Sequence, residues 1–74
     1  TLDQLECGRA ASVDHVRDSA DGDAIAQRLR DLGFVAGEPV RVVAEGPFGA
    51  EPLLVQIGYT RFALRRSEAA RVVL

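Results

Sequence analysis

Carboxylate and imidazole side chains cluster in the first third of the chain, where they could bind a divalent metal ion. Asp14, His15 and Asp18 lie close together, and Asp21 and Asp23 follow them. Such ligands suit Zn²⁺ and Fe²⁺, but their spacing matches neither a zinc ribbon, an EF-hand nor a two-histidine helix motif. The pattern favours an acidic, solvated loop with a helix-capping aspartate. We expect only weak Fe²⁺ or Zn²⁺ binding through His15, Asp14 and Asp18, and no required cofactor.

Catalytic chemistry has little support in the residue types present. Cys7 and His15 are the single cysteine and the single histidine, and their spacing matches no recognisable nucleophile–base pair. The simpler interpretations are a small apolar residue for Cys7 and a solvated strand residue for His15. All nine cationic residues are arginine, and without lysine neither a Walker-type phosphate loop nor a Schiff base can form. The sequence therefore predicts a protein that is not an enzyme.

The balance of charge argues against nucleic acid as a partner. Four arginines lie near the C-terminus: Arg61, Arg65, Arg66 and Arg71. A guanidinium can hold a phosphate in a bidentate fork. However, 11 acidic residues outnumber the 9 basic ones, and the pI is about 5.2. Non-specific attraction to phosphate is then weak, and we expect no nucleic-acid binding.

Three apolar residues are candidate contacts for a protein partner. Phe48 lies in a Gly- and Pro-rich segment, 46–52, where packing does not require a large apolar side chain. Leu32 and Val35 surround the end of a predicted helix and make it more apolar than one packed face needs. Burial in the core is the open alternative for Leu32 and Val35, and equally for Phe48.

One helix is predicted, over residues 24–32, from an apolar stripe at positions i, i+4 and i+7. The stripe consists of Ile25, Leu29 and Leu32. Asp21 or Asp23 is the expected N-cap, and Gly33 is the expected left-handed residue that ends the helix.

Alternating apolar residues predict five short strands. They lie at 9–16, 40–45, 53–57, 60–65 and 71–74. Short helical turns are expected near Leu2 and Leu5 and at 67–70. Strands this short are expected to close on one another, because open edges invite aggregation. The chain is therefore predicted to be a single, mainly β domain over 1–74: a small five-stranded SH3-like barrel with one inserted α-helix.

Motifs along the whole chain occur in an order typical of one family. They are Leu2-x-x-Leu5-x-x-Gly8, Ala11-x-Val13-x-x-Val16, Arg28-Leu29-x-x-Leu32-Gly33-Phe34-Val35-x-Gly37-x-x-Val40, Pro47-Phe48-Gly49-x-x-Pro52 and Phe62-Ala63-Leu64-Arg65-x-x-Glu68-Ala69. In this order they resemble the FeoA family of bacterial ferrous iron transport accessory proteins. The chain departs from the family pattern after Gly49, where Ala50-Glu51 intervene before Pro52 and lengthen the hairpin loop.

The resemblance implies an SH3-like barrel and a small cytoplasmic protein that supports FeoB, the ferrous iron permease with a G-protein domain. It implies contact with FeoB or its cytosolic G domain, with activation of GTP hydrolysis or of transport as the consequence. It implies no catalytic residues, so none is assigned. We expect recruitment to the inner face of the plasma membrane without insertion, since no apolar run is long enough to cross a bilayer. A weak or metal-bridged homodimer is an open alternative to a monomer.

A second functional alternative comes from the same barrel. It also resembles the C-terminal domain of DtxR-type metal-dependent transcriptional regulators, where the barrel follows DNA-binding and dimerisation domains. The opening motif with Leu2 and Leu5 favours a FeoA-like protein over this alternative.

Overall fold

Short antiparallel strands make up most of the structure, a computed structural model that describes residues 1–74. The strands are β1 (Ala10–Ser12), β2 (His15–Val16), β3 (Pro39–Phe48), β4 (Glu51–Ile57), β5 (Thr60–Leu64) and β6 (Val72–Val73). The larger sheet has the order β1-β3-β4-β5, and β2 pairs with β6 in a separate two-stranded sheet. This arrangement confirms the predicted mainly β fold class.

Two α-helices and a 3-10 turn complete the fold: α1 (Ala24–Asp31), α2 (Arg66–Ala69) and the 3-10 helix Leu2–Gln4. Asp23, one of the two predicted N-caps, accepts the N–H groups of Ile25 at 3.1 Å and Ala26 at 3.3 Å. Gly33 follows the helix with a φ of 112°, a conformation that glycine adopts readily. The helix ends one residue before the predicted end, because Leu32 is its C-cap. No helix is both long and apolar enough to span a bilayer.

The predicted strand at 9–16 divides into β1 and β2, so that the chain has six strands where five were expected. The Val13 N–H donates to the Glu38 carbonyl at 2.9 Å, whereas the Asp14 N–H donates to the Val73 carbonyl at 2.7 Å. The backbone therefore changes partners between these two neighbouring residues. It leaves the larger sheet at β3 and enters the smaller sheet at β6.

Residues 46–52, predicted as a loop, belong mostly to the β3–β4 hairpin. Because β3 extends to Phe48 and β4 begins at Glu51, only Gly49 and Ala50 form the turn. Their φ values are 63° and 61°, as in the type I′ turn, whose twist matches that of the flanking strands. A register shift before Phe48 accommodates the Gly–Pro pair inside β3 as a bulge.

Fourteen buried apolar residues form one core, and no polar or charged residue joins it. They are Leu2, Val13, Val16, Ala26, Leu29, Phe34, Val40, Val42, Leu53, Val55, Ile57, Leu64, Ala69 and Val72. Phe34 is the largest fully buried side chain, and its ring lies 6.3 Å from the ring of Phe62, centroid to centroid. On α1, Ala26 and Leu29 are buried, whereas Ile25, placed by the sequence in one stripe with Leu29, is 39% exposed.

The Asp23 carboxylate joins three parts of the chain. Besides capping α1, its Oδ2 accepts the N–H and the hydroxyl of Ser19, both at 2.9 Å, and Nε–H of Arg71 at 2.7 Å. Arg71 also donates from Nη1 to the Ser67 carbonyl at 2.7 Å. The Asp23 side chain is 6% exposed and that of Arg71 is 15% exposed. The Arg71 guanidinium, and after it the Ser19 N–H, hold the pKa of Asp23 well below its ordinary value.

This carboxylate makes the stability of the fold sensitive to acid. Since the pKa of Asp23 is lowered by folding, its contribution is fully present above the unfolded pKa of ~3.9 and is lost as the pH falls towards the native pKa. We expect Asp23→Asn to lower the free energy of unfolding near neutral pH, and this difference from the wild type to shrink by about pH 2.5. Urea unfolding of the wild type and of Asp23→Asn, near neutral pH and at about pH 2.5, measures this difference in the free energy of unfolding. A difference that stays constant with pH would contradict the assignment.

Candidate partner-binding groove

An apolar groove of about 150 Å³ lies between α1 and β5, the strand at one edge of the larger sheet. Six of the eight residues that line it are hydrophobic. Its lining comprises Ile25, Arg28, Leu29 and Leu32 from the helix and its C-cap, Phe62, Ala63 and Leu64 from the strand, and Glu68 from α2. A wider hollow of about 360 Å³ beside Tyr59 has only three hydrophobic residues among eight. The groove is therefore the one of the two whose lining residues are mostly hydrophobic.

The groove exists because α1 carries two apolar faces. Its buried face, with Ala26 and Leu29, is fully used by the core. Ile25 and Leu32 lie on the adjacent side of the same helix, where the sheet ends and no further element covers them. Opposite them, Phe62 is only half-buried and is positioned by its ring contact with Phe34. Core residues thus hold the two walls in place, while Ile25, Leu32 and Phe62 remain partly open to solvent.

The three predicted partner contacts do not share one surface. Leu32 lines the groove and packs partly against the core. Val35, 47% exposed, lies in the turn after the helix, and Phe48, 81% exposed, lies at the end of β3 beside the hairpin turn. Neither Val35 nor Phe48 lines the groove. The alternative that Val35 and Phe48 are core residues is wrong, since nearly half of Val35 and most of Phe48 is exposed.

Two groove residues, Ile25 and Phe62, were not identified from the sequence as partner contacts. The sequence placed Ile25 in the apolar stripe of the predicted helix and Phe62 in the predicted strand at 60–65, and neither position was singled out as exposed. A signal was present in Ala26, a second apolar position that broadens the apolar arc of α1 beyond the width one packed face needs. The sequence could not tell which part of that arc the sheet would cover.

The candidate metal ligands form an incomplete set. Asp14 Oδ2 lies 2.5 Å from Nδ1 of His15, and both side chains are exposed. Asp18 is engaged elsewhere, because its carboxylate accepts Nη1–H of Arg30 at 3.1 Å. No group of three His, Cys, Asp or Glu side chains is placed to hold a metal ion. The donor set therefore does not fit a resident metal centre.

Comparison with known proteins identifies the family. The family model described as FeoA domain matches residues 1–74. The chain belongs to the FeoA family. Its members are accessory proteins of ferrous iron transport, so the resemblance seen in the sequence is confirmed. No curated protein sequence matches the chain.

Solved structures of FeoA family proteins share the fold. The zinc complex of FeoA from Stenotrophomonas maltophilia, described as a prokaryotic SH3 domain protein, is 63% identical, with a TM-score of 0.92 over 99% of this chain and 86% of that one. FeoA from Chlorobium tepidum is 33% identical, with a TM-score of 0.80 over 97% of this chain and 65% of that one. Iron(II) transport protein A from Clostridium thermocellum is 29% identical, with a TM-score of 0.81 over 97% of this chain and 42% of that one. The predicted SH3-like fold is thereby confirmed.

Weak metal binding is a testable expectation for this FeoA family member. Asp14 and His15 supply only two ligands. Calorimetric titration with Zn²⁺ or anaerobic Fe²⁺ should therefore show binding of low affinity at most, and His15→Ala should remove the binding heat. Asp18→Asn, which alters a carboxylate bound to Arg30, is the matched control and should leave the heat unchanged. Submicromolar affinity in the wild type would contradict this expectation.

Phe48 should contribute little to stability despite its size. Its side chain is 81% exposed, so Phe48→Ala should change the free energy of unfolding by no more than ~0.5 kcal/mol. Leu29→Ala, at a position that is 1% exposed, should cost about 2–5 kcal/mol because it leaves a cavity. Urea denaturation measures both. A large loss for Phe48→Ala would place that ring in the packed structure.

Proposed function

We propose that this chain is a non-enzymatic accessory protein of bacterial ferrous iron uptake that binds FeoB, the permease with a cytosolic G-protein domain. The observation that carries the proposal is the open apolar groove between α1 and β5 in a chain of the FeoA family. The expected consequence of binding is activation of GTP hydrolysis or of transport.

The energetics of the groove suit a protein partner. Ile25, Leu32 and Phe62 are partly exposed, and each can lose further apolar surface to a partner. Full burial of such a side chain stabilises by ~1.5–3 kcal/mol, and these three are already partly buried. A few side chains of this kind typically dominate the binding energy of an interface. The groove therefore provides a small central cluster of anchors, as binding surfaces of signalling proteins do.

The proposed place of action is the cytoplasmic face of the plasma membrane, where the chain is recruited by the permease without insertion. Weak Zn²⁺ or Fe²⁺ binding at Asp14 and His15 is not required for function in this proposal, and a metal-bridged pair of copies is an alternative to a monomer. The zinc complex of the Stenotrophomonas maltophilia protein supports Zn²⁺ binding. Each of the three structures compared above is named as a FeoA or iron transport protein, which favours transport over the DtxR-type regulator alternative.

A titration of isotope-labelled protein with the G domain of FeoB from the same organism, read by NMR, tests the proposal. We expect shift changes at Ile25, Leu32 and Phe62. Ile25→Ser should weaken binding by about tenfold, because an apolar anchor is lost. Tyr59→Ser, a fully exposed position outside the groove, is the matched control and should bind as the wild type does.

The outcomes of that titration separate the alternatives. Shifts at the groove that Ile25→Ser removes support FeoB as the partner. Shifts confined to Phe48 and Val35 would move the contact to the surface first predicted from the sequence. No shifts with the G domain and none with the full permease in detergent micelles would overturn the proposal.

A further inference from the structure

The edge of the larger sheet that borders the groove is free to accept another strand. β5 pairs with β4 on one side and has no strand on the other. Outside that ladder, no backbone hydrogen bond involves any residue of Thr60–Leu64. A row of unpaired N–H and C=O groups is a ready template for β-strand addition.

The turn between β4 and β5 determines which backbone groups are free. Ile57 and Thr60 face each other across the two-residue turn 58–59. In an antiparallel ladder, hydrogen-bonded and non-hydrogen-bonded pairs alternate from such a closing pair. The backbone groups of Arg61 and Ala63 therefore point away from β4, towards the free edge.

The groove runs beside this same edge. Ala63 lines it together with its neighbours Phe62 and Leu64, whose side chains point to the inner face of the sheet. The opposite wall is α1, with Ile25 and Leu32. A strand added to β5 would place alternate side chains on the inner face, between the sheet edge and the helix. Backbone bonding and side-chain burial would thus occur at one place.

The charges around the groove indicate what flanks such a strand. Arg28 lines it, and Arg61 and Arg65 lie on β5 and directly after it. None of these three arginines takes part in a salt bridge. The single acidic residue of the lining, Glu68, accepts the Arg65 backbone N–H at 2.8 Å. The lining itself thus holds one positive and one negative group, while Arg61 and Arg65 add positive charge along the free edge of β5, where it complements acidic residues.

From these features we infer that the groove binds an extended segment of the partner protein, with alternating apolar residues and acidic flanks, which adds to β5 as a fifth strand of the larger sheet. The partner's identity as FeoB rests on the proposed function, whereas the mode of binding rests on the free edge, the groove and the three arginines. A helical segment would bury the apolar walls but leave the backbone groups of Arg61 and Ala63 unpaired. An extended segment satisfies both.

Proline at the free edge tests this mode directly. Ala63→Pro removes an outward N–H and places a ring where the added strand would pair, while β4 keeps its bonds because edge positions tolerate proline. Ala10→Pro is the matched control on the opposite edge. There the Val13 N–H bonds the Glu38 carbonyl, so by alternation the Ala10 N–H also points outward. Thermal unfolding verifies that both variants fold.

A random ten-residue peptide library displayed on phage supplies the ligand. We expect selected peptides to alternate apolar and polar residues between acidic flanks. Their binding should fall at least about tenfold with Ala63→Pro, as expected when backbone hydrogen bonds are lost, and should be unchanged with Ala10→Pro. Peptides that bind Ala63→Pro as tightly as the wild type, or a library that yields no binders, would overturn the inference.

Hydrogen exchange on the wild-type protein gives a second measurement that depends on no variant. A bound selected peptide should slow amide exchange at Ala63 and Arg61 by at least about tenfold, because both N–H groups become bonded. Unchanged exchange at both residues would overturn strand addition even if Ala63→Pro failed to fold. Sedimentation could instead show that the wild-type protein forms a dimer that Ala63→Pro abolishes. The strand on the β5 edge would then come from a second copy of the chain, and the inference of a partner segment would be wrong.

The two proposals can fail separately. If FeoB binds wild type and Ala63→Pro equally well, strand addition is wrong and the proposed function stands. If selected peptides require the β5 edge while FeoB does not bind at all, the strand-binding groove stands and the proposed partner is wrong.

Discussion

The position of α1 depends on the hydrogen bonds and the ion pair of the Asp23 carboxylate. It caps the helix, holds the preceding loop through Ser19 and pairs with Arg71 from the end of the chain. The 2.7 Å contact with Arg71 brings together residues that lie far apart in sequence. Since α1 forms one wall of the groove, the distance between the helix and β5 depends on this pairing. A second arginine supports it: Arg30 donates to the Val16 carbonyl at 2.7 Å and so ties the helix to β2.

A core this small leaves apolar surface uncovered, and one part of it lies together in the groove, at Ile25, Leu32 and Phe62. Ala26 and Leu29 are buried in the core, whereas the neighbouring Ile25 and Leu32 stay partly exposed beside β5, where the larger sheet ends. Apolar residues scattered singly over a surface need no explanation, whereas apolar residues that lie together in a concave site are candidates for contact with a partner. One wall of the groove is anchored in the core, because the ring of Phe62 lies beside the buried ring of Phe34.

The charged residues divide into those that hold the fold and those that remain available. Asp23, Asp18 and Glu45 pair with Arg71, Arg30 and Arg66. These pairs connect segments of the chain. Because Asp18 and Asp23 are engaged in them, the acidic cluster seen in the sequence does not assemble a metal site. The arginines beside the groove have no such partners. In a chain of net charge −2, Arg61 and Arg65 thus place unpaired positive charge along the free edge of β5.

The sequence by itself determined the features that depend on local physics. Alternation marked the strands, an apolar stripe marked the helix, and the capping preferences of Asp23 and Gly33 marked its ends within one residue. Leu32 was also identified as a contact candidate, because a helix end with excess apolar residues is visible in sequence. Only the tertiary structure decided where the first predicted strand changes sheets, because that break depends on carbonyls supplied by Glu38 and Val73. The exposure of Ile25 and the free edge of β5 were likewise decided by the fold, since both depend on where the sheet ends, and strand order is set by pairing between distant segments.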